Sequence, residues 1–386
     1  MNTAFSRRRF LSGAAALTAA SFLPGSARAV YAHGDRCSFA PDSVSLNRGY
    51  WIDTLGGPGG YTDDTSKPLS NVALEDAVKS GLSAVNLTVS GVGSYSRNFN
   101  ETIKNIGYWN AEIAAHPDRL MSVRSAADLQ AAHCSGHLGL IYGFQDATPL
   151  GEDLDRVDMF RDLGVRIFQL TYNRRNLVGD GCLESGNAGL SEFGRKLVSK
   201  LNDTKSLVDL SHAGERTTLE ALAASKVPIA ISHTGCATLA PLPRNKTDNE
   251  LKKLADKGGY AGIYLMPFLR SKGQPMATDL VAHLEHAINV CGEDHVGIGS
   301  DGVISPVAVT PEFKQKFADE VNERRKRGIS APGEDPDVYT FIPDLNEADR
   351  FQRIAELLAA RKHSPARIEK ILGGNFARLL KEVWGA

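Results

Sequence analysis

Neither sign of charge dominates this 386-residue chain: 44 Lys and Arg stand against 45 Asp and Glu, a formal net charge of −1. Without a basic excess there is no electrostatic footprint for nucleic acid or for an anionic membrane surface. Cysteine is scarce as well. The five, Cys37, Cys134, Cys182, Cys236 and Cys291, are odd in number and scattered, which excludes a disulfide framework and predicts buried thiols. No internal repeat or low-complexity tract occurs, so the chain reads as one domain. What is present is an ordinary globular composition, on a chain long enough to bury a large core.

The beginning stands apart from the rest. Ser6-Arg7-Arg8-Arg9-Phe10-Leu11 precedes an Ala/Leu-rich run, and Ala27-Arg28-Ala29 is a small-residue cleavage site. Residues 1–29 therefore read as a twin-arginine export signal, a receptor-read address rather than an anchor. The apolar run is too short to span a bilayer and contains Gly13 and Pro24, so no membrane span is expected after processing. Residues 30–386 form the expected mature domain, delivered to the periplasm or otherwise exported to an oxidising compartment.

Short apolar runs alternate with helical periodicity along the remainder. Strands are expected at Tyr50–Asp53, Ala84–Val89, Leu138–Tyr142, Val165–Leu170, Val208–His212, Ile229–His233, Ala261–Leu265 and Val296–Gly299. Helices are expected at Leu74–Ser80, Asn100–Ala115, Ala126–His133, Leu154–Leu163, Gly189–Asn202, Glu215–Ser225, Asp248–Lys257 and Leu280–Val290. Eight strands alternating with helices predict an α/β fold, a (β/α)8 TIM barrel. A C-terminal helical extension follows, with a charged helix over Pro311–Arg327 and closing helices over Glu347–Arg361 and Ser364–Val383.

Two of the strands end alike, in Ser211-His212 and Ser232-His233. A strand–helix–strand unit makes them parallel neighbours, with both imidazoles at the carboxyl-terminal edge, where barrel chemistry sits. Two neutral imidazoles there suit a divalent transition metal. Asp301, after the Gly297-Ile298-Gly299 strand, can bind metal or hold a proton. Arg244, in Pro243-Arg244-Asn245, could clamp a carboxylate or remain a solvated loop cation. Gln145 and Tyr172 follow the third and fourth strands. Weaker signals are set aside: His33-Gly34-Asp35 reads as a loop, His283 and His286 as core or surface residues, and His133 and His137 as helix-end caps.

These motifs together resemble the membrane (renal) dipeptidase family, the M19 peptidases of the amidohydrolase superfamily. The likeness runs through Gly164-Val165-Arg166, Leu170-Thr171-Tyr172-Asn173, Gly189-Leu190-Ser191, Asp209-Leu210-Ser211-His212, Ser232-His233-Thr234, Pro243-Arg244-Asn245, Gly297-Ile298-Gly299-Ser300-Asp301 and Gly373-Gly374-Asn375-Phe376. It implies a barrel of metallo-dependent hydrolase type, a zinc pair bridged by a carboxylate and hydroxide, and a homodimer. The departures are specific. Leu55 and Gly57 stand where the family has a His-x-Asp metal pair, Gln145 where it has the bridging Glu, and Tyr172 where it has a substrate-polarising His.

Losing the His, the Asp and the Glu removes two negative charges that offset repulsion between two dications. The resemblance therefore implies one metal, Zn2+ or Fe2+, held by His212 and His233 with Asp301, and with Gln145 as a poorer ligand. The expected activity is hydrolysis of a small peptide or amide by metal-bound water. Asp301 moves the proton, Tyr172 stabilises the oxyanion and contacts substrate, and Arg244 and Asn245 hold the substrate carboxylate. Two other readings stay open: a lyase, isomerase or tailoring enzyme on the same scaffold, and a metal-free pseudoenzyme.

Overall fold

The structure, a computed structural model, describes residues 49–60, 65–92 and 95–385, all within one compact unit. The export signal over 1–29 and the His33-Gly34-Asp35 loop lie outside the described residues. Among the described residues, eight parallel strands line up in chain order. They are β1 (Ile52–Asp53), β2 (Ala84–Thr88), β3 (Leu138–Phe144), β4 (Val165–Gln169), β5 (Leu207–Asp209), β6 (Ala230–Thr234), β7 (Tyr260–Ile263) and β8 (Val296–Ile298). Thr54 closes the seam between β8 and β1. Its N donates to Ile298 O at 3.1 Å and its Oγ1 to Ser232 O at 2.6 Å. This is the expected (β/α)8 barrel, with strands of β-branched and aliphatic residues buried on both faces.

The outer helices follow the expected order with small boundary shifts. Ser191 caps Glu192–Asp203 by accepting from Gly194 N, and Thr247 with Glu250 forms a capping box on Asp248–Asp256. The closing segment differs from expectation. Instead of one helix over Ser364–Val383, Pro365–Glu369 and Asn375–Trp384 flank a π-helical turn, Lys370–Gly374. At Gly373 a Cβ would come within 2.4 Å of Tyr50 O, so this backbone packs directly on β1 and the helix cannot run straight through.

Two small elements escape a pattern search because they are only two or three residues long. Leu120–Ser122 pairs in parallel with β3, and Gly56–Gly57 pairs in parallel with Gly302–Val303. The second pair sits beyond the strand ends and fixes the β1 loop against the β8 loop. The thiol expectation needs one correction. Cys182, Cys236 and Cys291 are free, but Cys134 is disulfide-bonded; Cys37 lies outside the described residues. No helix among them is long and apolar enough to cross a membrane.

Candidate active site

At the carboxyl ends of β5 and β6 a single buried carboxylate organises two loops. Asp209 Oδ1 accepts from Ser211 N and Oγ at 3.0 and 2.6 Å, and from Ser232 N at 3.0 Å. Its Oδ2 accepts from Ser232 Oγ at 2.5 Å. Serine before each histidine is thus a tether: it turns both chains over one acceptor, and the imidazoles follow. His212 and His233 are 3% and 0% exposed, with ring centroids 5.0 Å apart at 62°.

The second-layer bonds set both tautomers. Ser232 Oγ spends its proton on Asp209, so at 2.8 Å it accepts from His233 Nδ1–H. Asn173 donates its Nδ2 to Ile329 O at 2.8 Å, which turns its Oδ1 to His212 Nδ1 at 2.6 Å. Each ring therefore carries its proton on Nδ1 and a bare lone pair on Nε2. Both Nε2 atoms are buried without a hydrogen-bond partner. Burial, then the nearby Arg244 charge, holds both imidazoles well below their ordinary pKa. They are neutral at pH 7, the form that ligates metal.

Asp301 follows β8 with φ of 56°, a left-handed backbone rare outside glycine. Its N donates to Leu55 O at 2.8 Å, which locks the turn. Its side chain is 18% exposed, with Oδ2 3.9 Å from His233 Nε2 and Oδ1 accepting from Gln145 Nε2 at 3.3 Å. Burial pushes its carboxyl up to about 6, against the opposing pull of Arg244.

Arg244 is 2% exposed. Its NH1 donates to Ser211 O at 2.7 Å, and its guanidinium lies beside Tyr264 and Phe268, 5.8 and 5.9 Å from their ring centroids. Its NH2 is buried with no partner, an unspent donor beside the histidines. Tyr172 stacks on His212 with centroids 4.2 Å apart, and burial raises its phenol, keeping it neutral.

The structure thus brings His212, His233, Asp301, Gln145, Tyr172 and Arg244 together. It does not bring Asn245 to the same face. Asn245 Nδ2 donates to Ala240 O and Phe268 O at 2.7 and 2.9 Å, and its Oδ1 accepts from Tyr264 OH. Its amide is spent on holding the loop that carries Arg244. His283 is a satisfied core residue between Cys236 N and Leu269 O.

One residue escaped sequence reasoning. Arg324, on the Pro311–Lys326 helix, donates through NH2 to Tyr172 OH at 3.4 Å. Glu334 holds its guanidinium at both ends, at 2.7 and 2.9 Å. The signal lay in spacing: Phe313, Phe317 and Val321 are the helix's buried residues, and Arg324 continues their stripe.

Among the described residues no group of three His, Cys, Asp or Glu side chains is arranged to hold a metal. The two orphaned Nε2 atoms are nevertheless an unpaired donor pair, with a carboxylate nearby, and fit one ion completing its shell from solvent or substrate. They do not fit two. Leu55, Gly57 and Gln145 line a cavity of about 340 Å³ with Asp301, and they offer one neutral amide where a second ion needs anions.

A family model described as membrane dipeptidase, peptidase family M19, matches residues 69–312. The chain is 27% identical over 290 residues to dipeptidase tcpJ of Claviceps purpurea, covering 74% of this chain and 60% of that protein. It is 30% identical over 246 residues to dipeptidase verJ of Clonostachys rogersoniana, covering 62% of each. The chain thus spans about three fifths of the length of these curated relatives. A solved amidohydrolase structure from Pseudomonas aeruginosa superposes with a TM-score of 0.75 at 33% identity, covering 88% of this chain and 98% of that one.

Proposed function

The chain belongs to the membrane dipeptidase family, peptidase family M19, and from that premise we propose that it is an exported dipeptidase-type hydrolase of a small peptide or amide, working with one metal ion. The observation that carries this reading is the pair of buried, unpartnered Nε2 atoms on His212 and His233, the latter 3.9 Å from Asp301 Oδ2, together with the unpartnered NH2 of Arg244. The two histidine nitrogens would hold Zn2+ or Fe2+, and the ion would supply Lewis acidity for amide hydrolysis.

The side chains supply the rest. Arg244 offers a rigid, desolvated guanidinium to a substrate carboxylate, which fixes the scissile amide against the histidines. Asp301, with its carboxyl raised toward neutrality, takes a proton from the attacking water and passes it to the leaving nitrogen. The Tyr172 hydroxyl, polarised by Arg324, donates to the developing oxyanion. Export is supported by the disulfide at Cys134, a bond favoured in oxidising compartments.

The replaced half-site, Leu55, Gly57 and Gln145, favours a second reading, a lyase, isomerase or tailoring enzyme on this scaffold. A dipeptide and N-acyl amino acid library, assayed with and without added zinc, tests the first against the second. Zinc-dependent release of free amino acid is the expected result. Turnover without hydrolysis transfers the site to the second reading.

A further inference from the structure

Leu55 and Gly57, the positions where the resemblance implies a metal-binding pair, line the cavity beside Asp301. Its lining is mostly apolar, with Thr88, Gln145, Ser300 and Asn346 among the neutral polar residues. Leu55, Leu87, Trp109, Val303 and Phe341 are among its walls, and its volume of about 340 Å³ lies within the range of small-ligand pockets. Gly57 keeps one wall open, because a Cβ there would meet Leu87 Cδ1 at 2.9 Å. Its charged lining residues are Asp301 and Arg350. Arg350 is fixed there by donating to Glu347 O and Ile304 O at 3.0 and 2.9 Å.

We infer that this cavity is the acyl subsite and that the substrates are N-acyl amino acids, with an uncharged apolar acyl group in the cavity and the amino-acid carboxylate on Arg244. This rests on the hydrolase reading and narrows its substrate class. An α-ammonium placed here finds mostly hydrocarbon walls, an Asn346 amide already spent on Val307 N and O, the Arg350 guanidinium, and one carboxylate already facing His233 and Gln145. Burying a charge so poorly matched is costly, whereas a methylene gains from every wall it touches. Asp301 borders both halves, so the scissile amide lies across it. Water adds its oxygen to the acyl carbon, the C–N bond breaks, and the second water proton ends on the leaving amine. The products are a carboxylic acid and a free amino acid.

An isosteric pair tests this on the full-length, zinc-supplemented protein: Leu-Ala and N-(4-methylpentanoyl)-alanine, which differ only by the ammonium. The acyl compound should have a kcat/KM about tenfold or more higher. Across N-acetyl-, N-butanoyl- and N-hexanoyl-alanine, kcat/KM should rise about fourfold per methylene, and Val303→Phe should flatten that series. Preference for Leu-Ala, or a flat series in the parent protein, overturns the inference and leaves the hydrolase reading standing. If neither compound is cleaved, the hydrolase reading fails. Calorimetric binding to the metal-free protein then decides the subsite, with tighter binding of the acyl compound supporting it and tighter binding of Leu-Ala overturning it.

Discussion

Asn173 Oδ1 lies 2.6 Å from His212 Nδ1 because the other end of the same amide is pinned to Ile329 O at 2.8 Å. Ile329 belongs to the segment after the Pro311–Lys326 helix, so the C-terminal elaboration fixes the tautomer of a barrel imidazole. Outer bonds of this kind typically govern metal affinity by about 10- to 100-fold. Asn173→Ala should weaken zinc binding by about that factor in competition with a chromogenic chelator. Asn173→Asp keeps the acceptor and should retain most of the affinity. Equal affinity in Asn173→Ala and the parent protein would show that the bond does not orient His212.

Zinc stoichiometry follows from the charge of the site. His212 and His233 can serve one ion, while Leu55, Gly57 and Gln145 leave no anionic ligand for another. After chelator treatment and reloading, elemental analysis should find about one zinc per chain. His212→Ala and His233→Ala should each reduce that to background. Two equivalents in the parent protein would refute the single-ion site.

Arg324 reaches Tyr172 OH at 3.4 Å while Glu334 grips its guanidinium at both ends. Such a fixed cation makes the phenol a better donor to a growing negative charge. Tyr172→Phe removes that donor and should lower kcat by about 100-fold. Arg324→Met removes that polarisation and leaves the Tyr172 hydroxyl in place, so a drop of about tenfold in kcat with little change in KM is expected. Arg324→Lys should recover part of the loss. A change confined to KM would instead mark Arg324 as a substrate-binding group.

The histidine pair is legible in the chain because it depends on local rules: strand period, a crossover helix, and parallel neighbours that end at one edge. Asp209 adds the reason each histidine follows a serine, and no spacing rule exposes that shared acceptor. Arg324 is harder to see because its contact with Tyr172 joins residues 152 apart in the chain. Asn245 is instructive in the other direction. Its place beside Arg244 suggests a substrate contact, yet its amide is consumed by Ala240 O, Phe268 O and Tyr264 OH. Sequence adjacency does not distinguish a loop's working residue from its anchor. Leu55 and Gly57 stand out in the chain only against the resemblance, whereas the fold shows that they line a mostly apolar cavity with Asp301.

Asp53 offers a test of the barrel seam itself. It accepts from Ser300 N and Oγ at 2.7 and 2.5 Å and from Leu55 N at 3.3 Å, joining the ends of β1 and β8. Burial pushes its carboxyl from 3.8 up to about 6, although the Ser300 bonds and the Arg350 charge pull the other way; the neighbouring Tyr260 hydroxyl is itself neutral. A folded-state value above the unfolded one means that the native protein binds the extra proton between those two pH values. Asp53 therefore contributes most stability below pH 4 and loses it as pH rises through about 6, up to about 3 kcal/mol in all. In Asp53→Asn the amide oxygen can still accept from Ser300 N and Leu55 N, and its Nδ2 can donate to Ser300 Oγ. Urea unfolding at about pH 4 and about pH 7.5 should show the variant gaining on the parent by roughly 2–3 kcal/mol between the two conditions. A gap that stays constant with pH would mean that Asp53 titrates near its ordinary value, and that the seam holds an ionised carboxylate without cost.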